Sequence, residues 1–260
     1  MRMRMNWEDL CEKAAKRLEG EPKLIRLPSR GRAIFVGDTH GDLDATKKVL
    51  RRYLKPSCRI VFLGDYVDRG KQSEENLQLL LETKLAHPED ITLLAGNHEG
   101  FMVKKFYPAN FWESLQEKQR EILGRLFSKF PLAATSPNGL LALHGALPEL
   151  GSLEEINQVE PGDDQWERMI WGDFVERDGE FLGDWGGRPQ WGGHYFKRMM
   201  ERYQLTLLIR SHQPNSPPRM FNKTCVTIFT SHAYLANRTI ASVDLEKERL
   251  DTKDVTFEKI

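Results

Sequence analysis

The residues able to do chemistry lie in three short stretches: Gly37-Asp38-Thr39-His40-Gly41, Gly64-Asp65-Tyr66-Val67-Asp68-Arg69-Gly70 and Gly96-Asn97-His98-Glu99-Gly100. Carboxylate, amide and imidazole ligands without a thiolate suit manganese, iron or zinc. A pair of divalent ions roughly 3.5–4 Å apart hydrolyses phosphate esters by generating a hydroxide, neutralising the phosphoryl oxygens and aligning the attack. Such a pair needs one carboxylate that can bridge, with oxygen and imidazole ligands on each side. Asp65, Asp68 and Arg69 do not suit an apolar core, where unpaired charges would cost several kcal/mol.

Each stretch follows an apolar run, at residues 33–36, 60–63 and 91–95. These short, largely β-branched and aromatic runs, each ended by a turn signal, predict buried strands. Helical segments of roughly a dozen residues or more lie between them, as parallel crossovers require. Adjacent strand ends would then bring Asp38, His40, Asp65, Asp68, Arg69, Asn97 and His98 to one sheet edge. Ordinary strand-to-turn junctions explain the Gly and Asp residues. They do not explain His40, Arg69, Asn97 and His98.

The chain has 260 residues, with Lys+Arg 38 balancing Asp+Glu 38. That length supports a substantial core, and a single domain over 1–260 is expected, with 1–31 as a helix and lead-in. The charge balance gives no sign of a nucleic-acid or acidic-membrane partner. Cys11, Cys58 and Cys225 are scattered, which suits a reducing cytosol. No leader and no membrane span are expected.

Helices are predicted over 6–19, 42–54 and 74–86, from leucines and valines at helical spacing. Residues 101–130 read as helical, in two pieces around Pro108. Strands are predicted over 132–135, 140–143, 205–209, 224–229, 239–245 and 255–260. His87 and His194 read as helix-end or surface residues without a chemical role. Residues 151–195 interleave Trp166, Trp171, Trp185 and Trp191 with many glycines. Such a segment predicts irregular structure, and long irregular segments tend to be functional. Trp166 and Trp171 could equally fill a second small core.

The three motifs, in this order and spacing, resemble the phosphoprotein phosphatase (PPP) family of metal-dependent serine/threonine phosphatases. Within the calcineurin-like metallophosphoesterase superfamily, an archaeal or bacterial member is the nearer match, because Ala95 stands where eukaryotic members carry Arg. The likeness spans about residues 32–245. His144-Gly145-Ala146-Leu147 is similar to the family's His-Gly-Gly-Leu, with Ala146 in place of Gly. Trp171-Gly172-Asp173 resembles its Trp-Ser-Asp, and Arg210-Ser211-His212-Gln213 its Arg-x-His-Gln. Tyr234 matches the family's tyrosine in Ser-Ala-Pro-Asn-Tyr, while His232 replaces the proline.

The resemblance implies an α/β (α+β) fold, a two-sheet β-sandwich flanked by helices with a dinuclear site at the sandwich edge. It implies that Asp38 and His40 hold one ion, Asn97, His144 and His212 the other, and Asp65 both. His98 would protonate the leaving oxygen, oriented by Asp68. Arg69, Arg188, Asn97 and Tyr234 would contact the phosphate, with Arg210 as the alternative to Arg188. The expected reaction is hydrolysis of phosphoserine or phosphothreonine by a metal-bridging hydroxide, with manganese, or else iron or zinc. The expected partners are phosphoproteins or phosphopeptides, and a cytoplasmic monomer is expected. The rivals are a nucleotide or diadenosine polyphosphate hydrolase on the same site and a non-enzymatic scaffold.

Overall fold

The computed structural model describes residues 6–260; residues 1–5, part of the stretch expected to lack a leader, lie outside it. In chain order the first half comprises α1 (Trp7–Leu18), β1 (Leu24–Arg26), β2 (Arg32–Val36), α2 (Leu43–Tyr53), β3 (Cys58–Phe62), α3 (Ser73–Ala86), β4 (Ile91–Leu93), α4 (Asn110–Ser114), α5 (Glu117–Phe127), β5 (Ala133–Ser136) and β6 (Leu140–Leu143). The second half comprises α6 (Asp164–Trp171), β7 (Asp173–Phe174), β8 (Phe181–Trp185), β9 (Arg188–Trp191), α7 (Gly193–Arg202), β10 (Leu207–Arg210), β11 (Arg219–Met220), β12 (Cys225–Thr227), β13 (Thr239–Asp244) and β14 (Val255–Lys259).

Two large sheets form the frame. One is five-stranded in the order β14-β13-β2-β3-β4, the other six-stranded in the order β1-β5-β6-β10-β12-β11. β2, β3 and β4 pair in parallel, as do β6, β10 and β12. α2 and α3 supply the crossovers that parallel neighbours need. Side chains alternate between the two faces of each strand. Ala33, Phe35, Val61 and Leu63 therefore share a core with Leu140, Ala142, Leu207, Ile209 and Val226 of the other sheet. Ile34, Val36, Ile60 and Phe62 turn the other way, into a cluster with Leu10, Val49, Leu77 and Leu80 of the helices. No helix of the described residues is long and apolar enough to cross a membrane.

Two expectations need correction. Residues 101–109 are not helical; helix resumes only as α4 and α5. Pro108 lacks the donor a helix interior needs, and Phe106 is drawn out of any helical stripe to pack against His98 and Trp171. Residues 151–195 are not irregular: they hold a 3-10 turn (Leu153–Gln158), α6 and a three-stranded sheet in the order β7-β9-β8. Their glycines serve turns, Gly186 and Gly187 both having positive φ between β8 and β9. Trp166, Trp171 and Trp191 are buried and only Trp185 is exposed, so most of the tryptophans are core after all.

Candidate active site

The C-terminal ends of parallel strands from both sheets meet at one edge of the sandwich. β2 delivers Asp38 and His40, β3 delivers Asp65 and Asp68, and the end of β4 leads to Asn97 and His98. β6 runs into His144 and β10 into His212. A single bridge between Asp38 and Phe229 closes the two sheets together there. The backbone turns sharply at this edge. His40, Asp65, Asp68, Arg69 and His212 all have positive φ, between 43° and 71°. Non-glycine residues hold such angles only where surrounding structure enforces them, and they concentrate at functional sites. Glycine is needed where the loops touch: a Cβ on Gly96 would lie 2.5 Å from the Asp65 nitrogen.

Asp65 is the centre of the cluster. Its Oδ2 lies 3.5 Å from His144 Nε2, 3.7 Å from His40 Nε2 and 3.9 Å from His98 Nε2. Asp38 Oδ2 is 3.6 Å from His40 Nε2, and Asn97 Oδ1 is 3.2 Å from His144 Nε2. Two groups share Asp65: His40, Asp65 and His98, and Asp65, His144 and His212, each with its ligand atoms within 4.8 Å of one another. The first group takes in His98 as well as the residues assigned above to that ion.

Backbone carbonyls orient the imidazoles. His40 Nδ1 bonds Val67 O at 2.9 Å, His144 Nδ1 bonds Leu63 O at 2.8 Å and His212 Nε2 bonds Trp171 O at 3.2 Å. Each ring donates through that nitrogen and turns its other nitrogen, the lone pair, inward. His144 Nε2 and His212 Nδ1 consequently face each other at 3.0 Å with no proton to share. Two opposed lone pairs beside buried carboxylates call for a cation. The charges agree. Burial and the neighbouring Asp65 lift Asp38 to about 6. Burial opposes a charge on His144, yet Asp65 and Asp38 prevail and push it up to about 9. Burial, with His98 nearby, drops His40 to about 3, leaving it neutral and able to ligate. The donor set thus fits a pair of divalent ions.

Residues 31–216 match the family model described as calcineurin-like phosphoesterase. The chain belongs to that family. Its members hydrolyse phosphate esters at a dinuclear divalent metal site, and the Asp and His cluster fits one. A protein serine/threonine phosphatase from Saccharomyces cerevisiae, similar to human phosphatase PP5, superposes with a TM-score of 0.84 at 22% identity, covering 98% of this chain and 88% of that one. A cold-active protein-tyrosine phosphatase of a psychrophilic Shewanella gives 0.60 at 14% identity, covering 94% and 84%. A putative diadenosine tetraphosphatase gives 0.55 at 18% identity, covering 92% and 98%. These likenesses establish the two-sheet phosphoesterase fold.

Around the phosphoesterase cluster stands a second ring of groups. His98 Nδ1 lies 2.7 Å from Asp68 Oδ2, and Asp68 Oδ1 accepts from the Phe111 amide at 2.7 Å. Arg69 donates through Nε to the Tyr234 hydroxyl and through Nη1 to Pro108 O. Tyr234 is 47% exposed and its ring stands 5.5 Å from that of His40, at the rim. Arg188 donates through Nε and Nη2 to Asp173, at 3.1 and 2.7 Å, and through Nη2 to His212 O at 3.3 Å. It therefore borders the site. Arg210 does not: it is fully buried and spends its donors on Gly145 O, Gly172 O and Gln213. His194 is exposed at the start of α7 and His87 caps α3.

Three supporting residues escaped the sequence reading. Glu99 accepts from the amides of Asp65 (2.7 Å), Gly96 (2.9 Å) and Tyr66 (3.0 Å), locking two of the loops together. Ser211 accepts from the Asp38 amide at 3.0 Å and donates to the Asp38 carboxylate, joining the two sheets. Asp173 ties Arg188 to the His212 loop. Glu99 could have been found, since a fourth polar residue in Gly-Asn-His-Glu had no assigned task. Ser211 and Asp173 act across long sequence separations and left no local signal.

Proposed function

We propose that this phosphoesterase is a member of the phosphoprotein phosphatase (PPP) family that hydrolyses phosphoserine and phosphothreonine in proteins. The observation that carries the reading is the Asp65 carboxylate facing three imidazole nitrogens, one of them on a histidine held by a second carboxylate, Asp68. The near end-to-end likeness to the yeast serine/threonine phosphatase supports the substrate class.

Asp38 and His40 hold one ion, Asn97, His144 and His212 the other, and Asp65 serves both. Manganese is the first expectation, with iron or zinc also compatible with the ligands. When bound, the ions activate water and neutralise phosphoryl charge. His98 is kept for the proton: Asp68 on Nδ1 fixes the tautomer that presents Nε2–H to the leaving oxygen. Arg69, held in place by Tyr234 and Pro108, and Arg188, held by Asp173, grip phosphate oxygens from opposite sides. Asn97 and Tyr234 complete the phosphate contacts. Both sheets supply ligands, so the described residues act as one catalytic domain.

A panel of phosphoserine and phosphothreonine peptides, dinucleotide polyphosphates and p-nitrophenyl phosphate, assayed with added manganese, tests the reading. The peptides are expected to be hydrolysed with the highest kcat/KM among the biological substrates. A clear preference for dinucleotide polyphosphates would overturn it, and absence of any hydrolysis or bindable metal would leave a scaffold. Arg188→Ala is expected to raise KM for phosphopeptides and to weaken inhibition by free phosphate, with metal content unchanged. Unaltered phosphate inhibition would remove Arg188 from the site. Arg210 would not replace it, because its guanidinium is sealed in the core.

A further inference from the structure

Residues 104–108 cross the face of the site as a strap. At one end Lys104 bonds Glu167 and Gly187 O, next to Arg188, and stands 4.9 Å above the Trp171 ring. At the other end Pro108 O accepts from Arg69. The strap therefore runs between the two arginines proposed to hold the phosphate. In its middle Phe106 meets the His98 ring edge-on, with centroids 4.4 Å apart. Phe106 is itself braced by Phe101 at 5.5 Å and by Trp171 at 5.6 Å. It remains only partly buried, and its neighbour Tyr107 is 72% exposed.

We propose that Phe106 is a specificity-determining residue that forms the wall for the leaving group, and that through it the site also takes phosphotyrosine. The inference rests on the proposed role of His98 as proton donor. A leaving oxygen must come within roughly 2.6–3.2 Å of the donor nitrogen. The group attached to that oxygen then lies against whatever flanks His98 on the side away from the ions. Two rings flank His98. His40, at 4.6 Å, belongs to the ligand cluster; Phe106 is the other. Phe106 offers a flat apolar surface with no polar atom. A serine or threonine presents little to such a surface beyond a carbon or two. A phenyl ring fits it, since aromatic pairs favour offset or edge-to-face contact with centroids about 4.5–7 Å apart. In the reaction the oxygen of water joins phosphorus and the bond from phosphorus to the phenolic oxygen breaks. That oxygen keeps the electron pair and takes a proton from His98, giving tyrosine and inorganic phosphate.

The test compares the manganese-loaded full chain with Phe106→Ala and the milder Phe106→Leu. Phosphotyrosine and phosphoserine peptides of otherwise identical sequence are used, with kcat and KM separated and inhibition by inorganic phosphate measured alongside. Loss of an aromatic contact is expected to lower kcat/KM for phosphotyrosine by roughly tenfold, mainly through KM. The phosphoserine value and phosphate inhibition should stay nearly constant. If Phe106 only supports His98, the phosphoserine peptide suffers more, because its alkoxide depends more on the proton, and the inference is overturned. Equal losses, or none in either variant, overturn it as well. A wild-type enzyme that hydrolyses phosphoserine and not phosphotyrosine overturns this inference while leaving the serine/threonine reading intact. Hydrolysis of neither peptide removes both.

Discussion

Asp65→Asn is expected to eliminate turnover and to empty both halves of the metal site. The Asp65 carboxylate belongs to both ligand groups, and its Oδ2 faces His144, His40 and His98 at 3.5, 3.7 and 3.9 Å. An amide is the same size but removes the charge shared by two ions, and an amide nitrogen at Oδ2 would turn a donor toward where a cation must sit. Metal analysis of the purified variant should find both ions lost or held weakly, and activity should fall to background on every substrate. The fold should survive. Asparagine keeps an oxygen for the His98 amide, which bonds Asp65 Oδ1 at 2.9 Å. The substitution also relieves a repulsion, because Asp65 is among the causes that raise both Asp38 and Glu99. The metal-free variant should therefore melt no lower than the metal-free parent. Two tightly retained ions in the variant would exclude Asp65 as their shared ligand.

The second large effect is selective. His98→Asn should lower kcat by roughly 10²–10⁴-fold for alkyl phosphates such as phosphoserine peptides, the span expected for loss of a positioned proton donor. The loss should be far smaller for p-nitrophenyl phosphate, whose leaving group departs without a proton. The geometry predicts the same pattern for Asp68→Asn. The Asp68 contact at 2.7 Å sets which ring nitrogen of His98 carries the proton into the site. Equal losses on both substrates would give His98 a different task. Ligation is the natural alternative, since His98 stands in one group with His40 and Asp65. Metal analysis of the same variant separates the two, because a ligand loses its ion and a proton donor does not.

Much of the site was legible because the motifs are local. A buried strand, then glycine, then a metal-ligating side chain is a pattern held within a few residues, and it located the ends of β2, β3 and β4. The order of the later motifs brought in His144 and His212 by resemblance, and the structure places both against Asp65 and Asn97. Arg188 was less legible. Little in its sequence neighbourhood sets it apart, and its place at the site comes from Asp173 and the His212 carbonyl. The strap at 104–108 was misread, because its aromatic residues suggested a helical stripe. Phe106 earns more from stacking on His98, Phe101 and Trp171 than a helix could offer it.

By itself the sequence determined the chemistry: which ligands are present, that no thiolate joins them, and that apolar strands present them. Ligand type and the alternation of buried strands are properties of neighbouring residues. Tertiary structure alone decided how those groups face one another. The second sheet brings His144 and His212 to within reach of Asp65, and Ser211 reaches Asp38 from that same sheet. Carbonyls of Val67, Leu63 and Trp171 choose which nitrogen each histidine turns inward. The tryptophan-rich segment folded into core and sheet, since burying Trp166, Trp171 and Trp191 removes large apolar surfaces from water. Such contacts join residues far apart in the chain, and their energies depend on packing and distance that no local pattern encodes.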